Sequence, residues 1–166
     1  HPTPTTNQTV GDDGDYCTLV LLPRSKREEQ FVVKEPNTPS SFNWHQDSGY
    51  INFVHKPYLT TWLALDDTHS LNGPLSIIPT NLETEAKVLT HQWSDKSKDL
   101  FILVDEAKAK TLHVSAGSLV VFSSLTPHSS GANQSSSTRS AYLAQYSSEP
   151  IIDPNTGLNR NQAIPI

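Results

Sequence analysis

From Cys17 to Tyr146 the chain is a succession of short β-prone runs, each closed by Gly, Pro, Asn or Asp. No long stretch repeats apolar residues at helical spacing, so the apolar side chains must be buried from strand faces. Cys17–Leu22 is closed by Pro23, and Gln30–Lys34 (QFVVK) ends before Glu35-Pro36-Asn37. Asn43–Asp47 follows a Pro/Ser-rich turn. Tyr58–Leu65 (YLTTWLAL) alternates large and small residues, and Leu75–Ile78 follows Asn72-Gly73-Pro74. Phe101–Val104, Thr111–Val114, Ser118–Phe122 and Arg139–Tyr146 complete the series. The pattern predicts an all-β sandwich or barrel with few short helices. The best helix signal is Asn81–Thr90, where Thr80 can cap and Glu83 follows three positions later.

A length of 166 residues suits one domain with a sizeable core. Residues 1–16 are rich in Thr, Gly and Asp and read as a flexible polar segment. Residues 17–150 then form the folded domain, and 151–166 a C-terminal extension. The net charge is −5 and no basic stripe is present, so a nucleic-acid partner is not expected. No apolar run is long enough to span a bilayer, and no secretory leader pattern is visible. The chain starts at His1 rather than Met, which reads as a processed form or a piece of a longer protein. Its single cysteine, Cys17, excludes an internal disulfide and favours a reducing, cytoplasmic location. A monomer or weak homodimer is expected. Asn7-Gln8-Thr9 and Asn133-Gln134-Ser135 fit glycosylation sequons, a pattern frequent by chance.

The chemistry is carried by His45-Gln46-Asp47. On a strand, residues i and i+2 share a face, so one imidazole and one carboxylate lie side by side. Two histidines and one carboxylate on one side of a metal form the facial triad of non-haem Fe(II) oxygenases, with positions left for co-substrate and O2. The third ligand must come from the remaining histidines at 1, 55, 69, 91, 113 and 128. His128 stands out. It follows the run Ser118–Phe122 and a Ser-Ser-Leu-Thr-Pro turn, and Ser129-Ser130-Gly131 lets the backbone turn after it. Arg139 lies eleven residues on, and an antiparallel return would bring it beside His128. A guanidinium there grips a carboxylate bidentately. Each element alone is weak: His-x-Asp pairs are common, and a lone Arg at a strand start is usually a solvated ion. Their order and spacing in a β-rich chain are far more specific.

Trp44-His45-Gln46-Asp47-Ser48-Gly49-Tyr50 resembles the WHQD segment of phytanoyl-CoA dioxygenase-like proteins. Four further stretches are similar to that family in the same order: Thr61–Asp67, Asn72–Pro79, Ala116–Phe122, and His128–Asn133 with Arg139–Tyr146. The resemblance covers about residues 29–150. It implies a double-stranded β-helix, or jelly-roll, of cupin-like form, with Fe(II) held by His45, Asp47 and His128 between its sheets. It implies that Arg139 binds the distal carboxylate of 2-oxoglutarate, that Trp62 lines the co-substrate pocket, and that Gln46 and Lys34 lie near it. The implied reaction is hydroxylation of a small molecule using O2, with 2-oxoglutarate converted to succinate and CO2. Asp47 favours hydroxylation over halogenation, because related halogenases lack that carboxylate. The family usually carries a helical region ahead of its first strands, which is not visible here. The alternatives are a catalytically silent jelly-roll that binds metal or a small ligand, and a cupin-type enzyme without 2-oxoglutarate. Arg139 argues against the latter, since a keto-acid user needs that anchor.

Overall fold

The computed structural model describes residues 6–10, 16–20 and 25–160. Among these residues the strands are β1 (Thr6–Val10), β2 (Tyr16–Val20), β3 (Ser25–Lys34), β4 (Phe42–His45), β5 (Leu59–Ala64) and β6 (Leu75–Ile77). They continue with β7 (Gln92–Ser94), β8 (Asp99–Phe101), β9 (Lys110–Thr111), β10 (Leu119–Ser123), β11 (His128–Ser130) and β12 (Arg139–Ser147). Two single 3-10 turns, Asp47–Tyr50 and Glu106–Lys108, are the helical elements. No helix among the described residues is long and apolar enough to cross a membrane.

Two four-stranded antiparallel sheets face one another, in the orders β10-β5-β12-β3 and β4-β11-β6-β9. We call these the major and minor sheets. Hairpins β1–β2 and β7–β8 form two further two-stranded sheets. The architecture is the all-β double-stranded β-helix expected from the resemblance. Period-two alternation explains which side chains enter the gap between the sheets. On β5, Thr60, Trp62 and Ala64 are buried while the residues between them are partly open. On β12, Arg139, Ala141, Leu143, Gln145 and Ser147 point inward. Trp62, Ala64, Phe122, Ala141 and Leu143 of the major sheet pack with Leu75 of the minor sheet as the apolar core.

The largest fully buried side chains, however, are Arg139, Lys34, Gln46 and Asn133. Burial of such groups is costly unless their donors and acceptors are met. Asn133 donates from Nδ2 to the carbonyls of Lys34 and Ser137 and accepts from Ser135. That second sequon is therefore a folding element, inaccessible to a glycan in the native state.

Several expectations change. Asn81–Thr90 forms a turn followed by extended chain, not a helix. Its residues 81–88 are all exposed, so no apolar face drives helix formation. Thr80 Oγ1 donates back to the Ile78 carbonyl instead of capping. Thr6–Val10, inside the expected flexible segment, pairs with β2. The run at Phe101–Val104 is displaced to Asp99–Phe101. His128 itself lies in a strand, β11, which the Ser-rich sequence did not signal.

Candidate metal centre and its cavity

His45 closes β4, and its Cα partner across the minor sheet is His128 at the start of β11. Gln46 continues in extended conformation at φ −117° and ψ 138°, and Asp47 opens the 3-10 turn. One extended residue is enough to return Asp47 to the His45 face. The ligand atoms of His45, Asp47 and His128 all lie within 4.8 Å of one another. Asp47 Oδ1 is 3.9 Å from His45 Nε2 and 3.5 Å from His128 Nε2. His45 Nδ1 sits 2.7 Å from the Asn43 carbonyl and His128 Nδ1 2.9 Å from the Thr126 carbonyl. A carbonyl only accepts, so each Nδ1 carries the proton and each Nε2 presents its lone pair toward Asp47. Thr60 on β5 donates to Asp47 Oδ2 at 2.5 Å, leaving Oδ1 for the cluster. Burial, with His128 nearby, lowers the His45 pKa to about 4, so its imidazole stays neutral, the form a metal ligand requires. A donor set of two imidazoles and one carboxylate fits a divalent first-row metal such as Fe(II).

The cluster opens into a cavity of about 410 Å3 between the sheets. Trp62, Phe122, Leu75 and Leu143 form apolar walls, and Arg139 closes one end. Arg139 is not on an antiparallel return beside His128. It starts β12 in the major sheet, paired with Lys34, and meets the cluster across the gap between sheets. Arg139 Nε donates to the Asn72 carbonyl at 3.3 Å and Nη2 to the Gly73 carbonyl. Gly73 adopts φ +69°, and a Cβ there would collide with the Gly131 carbonyl, so glycine is required. Arg139 Nη1 is buried without a partner. The guanidinium lies 5.7 Å over the Trp62 ring. Its burial lowers the Arg139 pKa to about 10, against the opposing charge of Asp66, and the group stays cationic.

Two expected co-substrate residues are placed elsewhere. Gln46 points away from the cavity: Nε2 donates to the Lys87 and Leu125 carbonyls, and Oε1 accepts from Leu89 N–H. It straps the 87–91 segment over the metal turn. Lys34 donates to the carbonyls of Ser40, Ser130 and Gly131, tying β3 to the turn after β11. Burial and the neighbouring Arg139 charge lower its pKa to about 8. His91 reads from the sequence as a surface histidine. It accepts the Gln46 N–H on Nε2 at 3.1 Å, and its ring occupies the space where a Gly49 side chain would be. Tyr50, edge-on to His45, donates to Asp99 at 2.7 Å and joins the metal turn to β8.

Fold and cluster define a double-stranded β-helix built around a two-histidine, one-carboxylate centre. The profile of the phytanoyl-CoA dioxygenase (PhyH) family matches residues 13–141, and the chain belongs to that family. Phytanoyl-CoA dioxygenase domain-containing protein 1 homologs of Caenorhabditis elegans and Caenorhabditis briggsae are each 30% identical over 125 residues. The match covers 69% of this chain and 43% of theirs, so the chain spans less than half their length. EvdO2 from Micromonospora carbonacea var. aurantiaca, complexed with 2-oxoglutarate, superposes with TM-score 0.63 at 25% identity, covering 79% of this chain and 58% of its own. SnoK, a non-haem α-ketoglutarate-dependent carbocyclase from nogalamycin biosynthesis, gives TM-score 0.56 at 26% identity over 75% of this chain and 50% of its own.

Proposed function

We propose that this chain is an Fe(II)- and 2-oxoglutarate-dependent dioxygenase that hydroxylates a small organic molecule, releasing succinate and CO2. The observation that carries the proposal is the pairing, in one cavity, of the His45–Asp47–His128 cluster with a buried arginine whose Nη1 is unpartnered. A bound Fe(II) supplies the activation of O2 and of the keto acid.

The chain supplies geometry and electrostatics. His45 and His128 present their Nε2 atoms, and Asp47 offsets part of the metal charge. Thr60 fixes which carboxylate oxygen faces the metal. Arg139 receives the distal carboxylate of 2-oxoglutarate on Nη1, its other two nitrogens donating to the chain itself. Trp62 forms the floor beneath the guanidinium, where low polarity strengthens that ion pair. Gln46 and Lys34 act behind the site: they hold the metal turn and the β11 turn in place. Arg139 and Arg160 are the cations among the described lining residues, and Arg139 is committed to the co-substrate. Among the described lining residues that leaves Arg160 alone for substrate, which favours a small molecule over an acyl-CoA ester.

The test is an anaerobic titration of the chain with Fe(II) and then 2-oxoglutarate, followed by aerobic succinate assay. A visible charge-transfer band and succinate release are expected, and Asp47→Ala should remove both. A wild-type chain that gives neither is a silent jelly-roll and ends the proposal.

A further inference from the structure

Gln145 is an internal polar residue of β12. It is 6% exposed, and it lines the same cavity as the metal cluster. The largest fully buried polar side chains are accounted for: Lys34 and Gln46 by carbonyls, Asn133 by its turn, Arg139 by two carbonyls and the proposed keto acid. Among the described residues, the Gln145 carboxamide has no hydrogen-bond partner. Its amide faces the cavity, so an occupant that displaces water from that wall must meet the donor and acceptor it finds there.

Its position says what that occupant is. Gln145 is the cross-strand partner of Thr60, the residue that holds Asp47. Along β12 it lies six residues beyond Arg139, a span of roughly 20 Å at strand rise. The keto acid reaches from Arg139 toward the metal, so Gln145 lies in the part of the cavity left for the oxidised substrate. Ile51 and Tyr58 provide apolar surface in that part, Tyr58 being two residues ahead of Thr60. The β12–β3 register shifts between Gln145 and Tyr146, a bulge of the kind that re-aims a side chain.

We propose that Gln145 is the specificity-determining residue of this cavity, reading a hydroxyl, carbonyl or amide on a neutral small molecule held against apolar walls. The proposal rests on the co-substrate reading above for which half of the cavity is free. One carboxamide both donates and accepts, so it accommodates either kind of polar group.

The test uses the full chain loaded with Zn(II) and three probes of similar size: benzyl alcohol, acetophenone and ethylbenzene. Affinities are read by ligand-observed NMR. Wild type should bind the alcohol and the ketone about tenfold more tightly than ethylbenzene, the scale of a neutral hydrogen bond or two. Gln145→Leu should erase that preference while keeping ethylbenzene. Gln145→Glu, nearly isosteric and acceptor-only when ionised, should keep benzyl alcohol and lose acetophenone about tenfold. Equal binding of all three probes by wild type, or an unchanged ranking in Gln145→Leu, overturns the proposal. So does uniform loss of all three in both variants, since the residue would then shape the cavity without reading its occupant. 2-Oxoglutarate titration of the same proteins is read separately. Probe discrimination without 2-oxoglutarate binding would remove the co-substrate reading and leave Gln145 as the recognising group.

Discussion

Replacing Arg139 by lysine keeps the charge and removes the fork. Arg139 uses Nε for Asn72 and Nη2 for Gly73, and leaves Nη1 for the cavity. An ammonium has three donors on a single atom and cannot span two carbonyls and a carboxylate in this arrangement. A lysine that satisfies the Asn72 and Gly73 carbonyls withdraws from the cavity; one that reaches the ligand leaves those carbonyls unmet. Either way the complex loses about one charge-assisted hydrogen bond, roughly 1.5–3 kcal/mol. At about 1.4 kcal/mol per factor of ten, the 2-oxoglutarate Kd should rise about 10- to 150-fold. Metal affinity should stay within about threefold, because the hydrogen bonds of Arg139 run to Asn72 and Gly73 rather than to the His/Asp/His cluster. The assay is the anaerobic titration with 2-oxoglutarate at saturating Fe(II), paired with a separate Co(II) titration. A 2-oxoglutarate Kd within twofold of wild type would refute the reasoning, and so would an equal loss of metal.

Three further outcomes are expected. Thr60→Val removes the bond to Asp47 Oδ2 and should weaken Co(II) binding about tenfold; unchanged affinity would mean that Asp47 is held by other contacts. His45 has a folded pKa lowered to about 4 from 6.5, so the folded state binds fewer protons between those values. Stability of the metal-free chain should therefore be intact above pH 6.5 and fall as pH drops toward 4. Thermal melts across that range should slope less in His45→Gln, and identical slopes would reject the assignment. Gly49→Ala drives a methyl into the His91 ring and should cost about 2 kcal/mol, or roughly 4–8 °C in Tm. Adding His91→Ala should recover most of that loss, and a double variant no better than the single one would locate the strain elsewhere.

The strand skeleton was legible because alternation and turn residues are local signals. Arg139–Tyr146 was found almost to the residue, and Tyr58–Leu65 to within one at each end. The helix at Asn81–Thr90 was misread because a cap motif is also local, whereas helix formation needs an apolar face to bury. The chemical identity of the cluster was legible in its residue types and order. The sheet that carries Arg139 was not, since an eleven-residue step serves equally a hairpin or a crossing between sheets. Gln46 and Lys34 were assigned to the co-substrate, yet their partners lie 79 and 96 residues away at Leu125 and Ser130. Nothing in a local window encodes such a destination. For His91, the glycine at position 49 was a signal of close approach, but only the fold shows which ring approaches it.

The division of labour between the sheets has a consequence for how the molecule fails. The three residues proposed as ligands ride on the minor sheet and the turn that leaves it, whereas Arg139 and Trp62 belong to the major sheet. On the proposed function, metal capture is mostly a property of one layer, and keto-acid capture a property of the spacing between two. A perturbation that lets the layers drift apart, such as mild urea or a bulkier Leu75, should first produce a protein that still carries its ion and no longer retains its co-substrate. Loss of turnover would then precede loss of metal, and the ion would outlast the enzyme.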